Sequence, residues 1–150
     1  MLRQVNPLLT PELLFVLAAM GHGDEIAVVD ANFPAYAVAR STSHGRPICL
    51  PGVALGQVVA AVLSLLPLDE LVEAPVRKMA TGSGTDELEE VQRELQRLVD
   101  DDGGRHWPMH TLERFAFYEA ARGAYALVLT GERRLFANVL IRKGALPPSQ

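Results

Sequence analysis

The sequence predicts an α/β fold, a central sheet covered by helices on both faces. Three observations carry that prediction. Helix and strand patterns alternate along the 150 residues. The run Ile26–Val29 lacks polar alternation, as a strand buried on both faces does. Composition is 49% hydrophobic and 21% charged, which excludes wholesale disorder.

Thr10-Pro11-Glu12 opens the first helix with an N-cap hydroxyl, a first-turn proline and an acid at the positive end of the dipole. That helix is expected to reach about Met20, where Gly21 suits a left-handed cap. The strand Ile26–Val29 follows, then a loop over 31–35 broken by Pro34. A second short strand lies near Ile48–Leu50. Leu55, Val58, Val59, Val62, Leu63 and Leu66 recur at helical spacing, and Pro67 ends that helix.

Val76–Ala80 reads as a strand and 81–85 as a loop. Asp86 then caps a helix with the apolar stripe Leu88, Val91, Leu95 and Leu98, and the pair Glu89/Arg93 marks its solvated face. Residues 100–104 read as a polar loop. Thr111 opens a helix over Leu112–Arg122 that Gly123 closes. Tyr125–Leu129 is a strand, Thr130-Gly131 a turn and Asn138–Arg142 a last strand. No internal repeat occurs. Residues 1–150 are expected to form one domain, with 146–150 as a loose tail.

Composition also bounds function. Net charge is −4 and no Lys/Arg run offers a phosphate track, so nucleic acid is not an expected partner. No apolar run approaches the ~18 residues that span a bilayer. Leu13–Met20 is headed by Glu12 and framed by caps, so it reads as a soluble helix rather than a signal peptide. The single cysteine, Cys49, cannot form an internal disulfide, which fits a reducing cytoplasm. Its apolar setting predicts a buried, inert thiol.

The glycine motifs at 21–23 and 82–84 complete neither the dinucleotide fingerprint nor the P-loop. Pro108 separates His106 from His110 and removes the meaning of their spacing, and His44 is remote, so no metal site is expected. Trp107 beside them reads as cover for the core edge, with sugar stacking as the alternative.

Four residues carry candidate chemistry. His22, between two glycines in a helix-to-strand loop, suits a proton carrier near neutral pH, or is a plain polar loop residue. Asp30 ends an apolar strand, where α/β sheets bind ligands, or it caps the next turn. Arg114 stands early in a helix, where the dipole disfavours a cation. Asn138 is a poor strand residue that suits a fixed hydrogen bond or a turn. His22 and Asp30 flank one strand, about 15–20 Å apart if it is extended. They share a site only if the His22 loop folds back or if two subunits contribute.

Several segments, taken together, carry a resemblance. They are Pro7–Leu14, Met20–Ile26, Asp30–Ala35, Arg114-Phe-Ala-Phe-Tyr-Glu119, Thr130-Gly-Glu132 and Asn138–Gly144. In order and spacing, over about residues 1–145, the chain resembles the FucU/RbsD family of sugar mutarotases. Gly-His-Gly-Asp-Glu and Arg-Phe-Ala-Phe-Tyr-Glu are similar to the L-fucose branch; the ribose-pyranase branch typically has histidine where Arg114 stands.

The resemblance implies a three-layer α/β/α domain and a cofactor-free isomerase that interconverts anomers of L-fucose. It also implies a ring-shaped homodecamer with sites near subunit contacts. Carried over, the proton donor falls on His22, the sugar-binding aspartate on Asp30 and the fucose-branch arginine on Arg114. The last binding segment, typically Tyr-(Gly/Ala)-Asn, falls on Phe136, Ala137 and Asn138, and Phe136 lacks the phenolic hydroxyl. The alternatives are a D-ribose pyranase and a non-catalytic monosaccharide-binding protein of the same fold.

Overall fold

The computed structural model describes residues 1–82 and 89–148. In chain order its elements are α1 (Pro11–Ala19), β1 (Glu25–Val29), α2 (Ala35–Ala39), β2 (Pro47–Leu50), α3 (Leu55–Leu63) and β3 (Val76–Met79). Then come α4 (Glu90–Gly103), β4 (Met109–Leu112), α5 (Arg114–Arg122), β5 (Ala126–Thr130) and β6 (Val139–Arg142). The strands form one mixed sheet, ordered β2-β5-β1-β6-β3-β4. β6 is antiparallel to both its neighbours, β1 and β3, while the β1–β5, β2–β5 and β3–β4 pairs are parallel. The carboxyl ends of the other strands and the amino end of β6 therefore share one edge.

The expected layers are present. Ile26 and Val28 of β1 point into a core built with Leu13 of α1, Val62 of α3 and Leu95 of α4. Ala27 and Val29 point the other way, against Val38 of α2 and Phe117 of α5. This two-sided burial follows from the period of two along a strand.

Local chemistry explains the boundaries. The Thr10 hydroxyl accepts from the Leu13 N–H at 3.2 Å and starts α1. Lys143 Nζ ends it by donating to the carbonyls of Leu17 and Met20 at 2.8 and 2.6 Å, a cation on the negative end of the dipole. Gly21 does not take the expected left-handed cap. The helix is capped by Met20 in an extended conformation, and the positive φ falls further on, at Gly23 (87°), where a Cβ would meet the Arg142 guanidinium at 3.1 Å.

Other expectations are corrected. Pro34 opens the short helix α2 rather than merely breaking a loop. Residues 100–103 continue α4, which stops at Gly104 with φ 61°. The Asp100 carboxylate, unfavourable at a helix end, is satisfied there by the Trp107 N–H at 2.8 Å and by Gln96 and His106. Thr111 lies in β4, not in a helix, and Glu113 caps α5 through the N–H groups of Phe115 and Ala116. Asp86 and Leu88 lie outside the described residues. Cys49 is exposed rather than buried, because the pleat of the edge strand β2 turns it outward. Trp107 is buried at the core edge, as expected.

The loop after β5 is fixed by Glu132. Its carboxylate accepts from the Leu55 N–H at the start of α3 and from the N–H groups of Arg133 and Arg134, and it pairs with the Arg134 guanidinium at 2.9 Å. Arg134 in turn reaches Glu94 of α4 at 2.8 Å. Hydrogen bonding from Arg134 above all drops the Glu132 pKa from 4.5 to about 2, against the opposing effect of burial. Because the folded value is depressed, this stabilisation is complete above pH 4.5 and fades as pH falls toward 2. Glu132→Gln should lower stability by about 3 kcal/mol at neutral pH, with Arg134 left short of a charge. The loss should shrink below pH 4, as chemical denaturation across pH 3–7 will measure.

Candidate functional site

The shared sheet edge collects polar side chains from strands far apart in sequence. Asp30 follows the last residue of β1 and is 4% exposed. Its N–H donates to Asn138 Oδ1 at 3.0 Å, and Asn138 Nδ2 donates back to Asp30 Oδ2 at 2.9 Å. Oδ1 of Asp30 accepts from the Asn32 N–H at 2.9 Å. Burial raises the Asp30 pKa, and the hydrogen bonds from Asn32 and Asn138 partly offset it. The backbone N–H groups of Phe33 and Ala137 also act on this carboxylate and lower its pKa further.

Arg114 begins α5 and leans over the same edge. Its Nε donates to the Tyr118 hydroxyl one turn on, at 2.9 Å, and its guanidinium lies 5.5 Å from the centres of the Phe115 and Tyr118 rings. Tyr118 is braced edge-on against Phe33, centroids 5.2 Å apart. The dipole disfavours a cation there, and ring contact with hydrogen bonding holds it instead.

Phe136 adopts φ 60°, which strains a side chain with a Cβ. Buried Gln92 secures that turn by donating to the Met79 and Phe136 carbonyls at 2.9 and 3.5 Å. Ala137 is fully buried. Asp30, Asn138, Arg114, Phe136 and Tyr118, with Asn32, Phe33, Met79 and Leu135, line a cavity of about 190 Å³. That is below the ~300–1,000 Å³ of drug-sized pockets and suits one small polar ring.

His22 is elsewhere. It precedes β1, at the opposite edge, with its Nε2 3.0 Å from Asp69 Oδ1 and its side chain 42% exposed. It opens on an apolar groove of about 590 Å³ lined by Leu14, Leu17, Leu65, Pro67 and Lys143 among others. The His22 loop does not fold back toward Asp30. The structure thus joins Asp30, Arg114, Phe136 and Asn138 and separates them from His22.

Tyr118, Gln92 and Asp69 were not among the sequence candidates. Tyr118 is signalled by its i+4 spacing from Arg114 and by its place in the Arg114–Glu119 motif. Asp69 lies 47 residues from His22 and carries no local signal. His106 and His110 pair separately with Asp100 and Glu73. Among the described residues no helix is long and apolar enough to cross a membrane.

The RbsD / FucU transport protein family matches residues 3–146. The chain belongs to the RbsD/FucU family. That is the family its motifs resemble. It is 36% identical over 147 residues to an L-fucose mutarotase of Actinobacillus pleuropneumoniae, covering 98% of this chain and 99% of that one. It is 40% identical over 154 residues to a fucose mutarotase of Danio rerio, covering 99% and 97%. The fucose mutarotase of Streptococcus pneumoniae, solved in complex with L-fucose, superposes with a TM-score of 0.87 at 33% identity, covering 97% of this chain and all of that one. The RbsD/FucU fold here thus comes with a small polar pocket at one sheet edge and a half-exposed histidine at the other.

Asn138→Ala removes two bonds at once, leaving the buried Asp30 N–H without its acceptor and the carboxylate without its side-chain donor. Stability should fall by about 1–3 kcal/mol. The shift of the urea midpoint at constant slope checks it.

Proposed function

We propose that the protein interconverts the α and β anomers of L-fucose by acid–base ring opening and reclosure. The observation that carries the reading is the Asp30–Asn138–Arg114 pocket, in a chain similar over its full length to fucose mutarotases. Asp30 accepts from sugar hydroxyls, Asn138 holds that carboxylate in place, and Arg114 donates in a fixed fork.

His22 is the proton carrier. As a base it removes the proton of the anomeric hydroxyl. The C1–ring oxygen bond then breaks, its electrons remain on the ring oxygen, and C1 becomes an aldehyde. The imidazolium returns its proton to the ring oxygen. Rotation about C1–C2 and reversal of these steps give the other anomer, with no net gain or loss of protons. Positioned acid–base catalysis of this kind contributes typically about 10²–10⁴-fold.

Each site takes His22 from one subunit and the pocket from its neighbour in a homo-oligomer, for which the decamer is the expected form. The position of His22 at the edge away from Asp30 supports this, as does its exposed ring. Phe136 is the observation that favours the second reading, a sugar-binding protein without catalysis, since it brings no hydroxyl to the cavity.

Saturation-transfer NMR on L-fucose, with D-ribose beside it, tests the reading. Fucose anomer exchange should accelerate with wild type and return to the uncatalysed rate with His22→Ala. Greater acceleration of ribose would move the activity to the pyranase reaction. Binding of fucose without acceleration would leave a binding protein. Co-assembly of His22→Ala with Asp30→Asn should restore activity to about a quarter of the sites by random assortment. Co-assembled variants without activity would place both groups in one subunit's site.

A further inference from the structure

We infer, on the reading of the sheet-edge cavity as the sugar site, that Gln92 is a positioning residue. Its carboxamide, oriented by Lys78, fixes two backbone segments that form one wall of the cavity, and through them it sets sugar affinity.

α4 covers the face of the sheet away from the cavity. Val91, Leu95 and Val99 pack in one core with Val76 of β3, whereas Met79 of β3 and Phe33 belong to the other. Strand alternation puts Lys78 on the Val76 side, toward α4. Gln92 is 0% exposed and Lys78 is 9% exposed. A polar side chain so buried is costly unless its donors and acceptors are paired. Gln92 meets that condition. Lys78 Nζ donates to Oε1 at 3.2 Å, and Nε2 donates to the carbonyls of Met79 and Phe136 at 2.9 and 3.5 Å. These partners allow one orientation of the amide. An ammonium only donates and a carbonyl only accepts, so oxygen faces Lys78 and nitrogen faces the two carbonyls.

Both carbonyls belong to residues that line the cavity, while Gln92 and Lys78 do not line it. Their effect on a ligand therefore runs through the backbone. Met79 ends β3; its N–H donates to the Asn138 carbonyl at 3.2 Å, and its sulfur accepts from Asn138 Nδ2 at 3.7 Å. Phe136 holds φ 60° just before Ala137 and Asn138. Its ring passes close to Gly82, where an added Cβ would lie 3.4 Å from Cζ. One carboxamide thus ties the end of β3 to the turn before β6, at the point where backbone strain would otherwise relax. Asn138 touches both tied segments and is held at the angle at which it grips Asp30.

Gln92→Glu isolates the effect. An ionised carboxylate beside Lys78 still accepts its hydrogen bond but offers no N–H to the Met79 and Phe136 carbonyls. Affinity for L-fucose, measured by titration calorimetry, should fall about fivefold or more as the preorganised wall loosens. The fucose exchange rate at saturation should stay within about twofold, because the variant leaves His22 at the other edge untouched. The Asn138 side-chain amide signal in 1H–15N spectra, assigned by its loss in Asn138→Ala, should shift. Where Gln92→Glu fails to fold, Gln92→Met fills a similar volume without adding a charge and should give the same results.

A lower urea midpoint with unchanged affinity in the folded variant would overturn the inference, since Gln92 would then only support the fold. An unmoved Asn138 signal would overturn it as well. If wild type binds fucose without accelerating its exchange, the proposed catalysis fails and the affinity comparison still decides on Gln92. If wild type binds no fucose, the proposed function fails altogether, and the Asn138 signal alone judges the positioning by Gln92.

Discussion

The reciprocal pair between Asp30 and Asn138 is the contact on which the pocket depends. The β1–β6 ladder ends with Val28 opposite Val139. Beyond that point the two strands no longer pair with each other through their backbones, and an amide side chain continues the bonding with one donor and one acceptor. Asparagine fits the task because it offers both groups on a short stem. An aspartate there would set two carboxylates against each other. The pair also makes it tolerable to bury a carboxylate, which would otherwise sit unpaired in a low dielectric.

The wall facing this pair, residues 132–138, is held at both ends. Glu132 ties its start to α3 and, through Arg134, to α4, while Asn138 ties its end to β1. Between them Phe136 takes a positive φ, a conformation that costs on the order of 1–3 kcal/mol. Such strain persists only where neighbours over-determine the backbone, and Gln92 supplies a further restraint from beneath. A rigid wall suits small polar ligands, since little ordering entropy is then lost on binding. Phe136 brings an apolar face to that wall, and Tyr118 and Arg114 provide the hydrogen-bonding groups opposite.

Much of this was legible in the chain. The double-sided strand, the first helix with its Thr10-Pro11-Glu12 start, and the stripe of α3 follow from period and capping alone. Asp30 is legible as a polar stop on an apolar run, and Arg114 as a cation on the wrong end of a helix. What escaped is non-local or marginal. β4 is short, lies at the sheet edge and buries none of its residues fully, so its pattern lacks the alternation that marks a strand. The run 100–103 looks like a loop until Gln96, His106 and Trp107 satisfy Asp100. Cys49 turned outward because a short strand carries too little pattern to fix which face is buried. Asp69 meets His22 only through the return of β6, which no local motif encodes.

The arrangement also constrains how two copies can meet. β1 is paired on both sides, so it cannot bend to bring its ends together. At its amino end, beside His22, Asp69, Arg142, Glu25 and Arg77 form an alternating chain of charges, with contacts of 2.7 to 3.9 Å. At its carboxyl end lies the pocket. If one site is made from both ends, the contact joins unlike surfaces of two subunits. Such a contact either repeats head to tail or, about a two-fold axis, occurs twice with the roles exchanged. The central strand thus presents the half-exposed histidine and the pocket at opposite ends, and any copy that completes one with the other must lie beside the strand rather than at a single end of it.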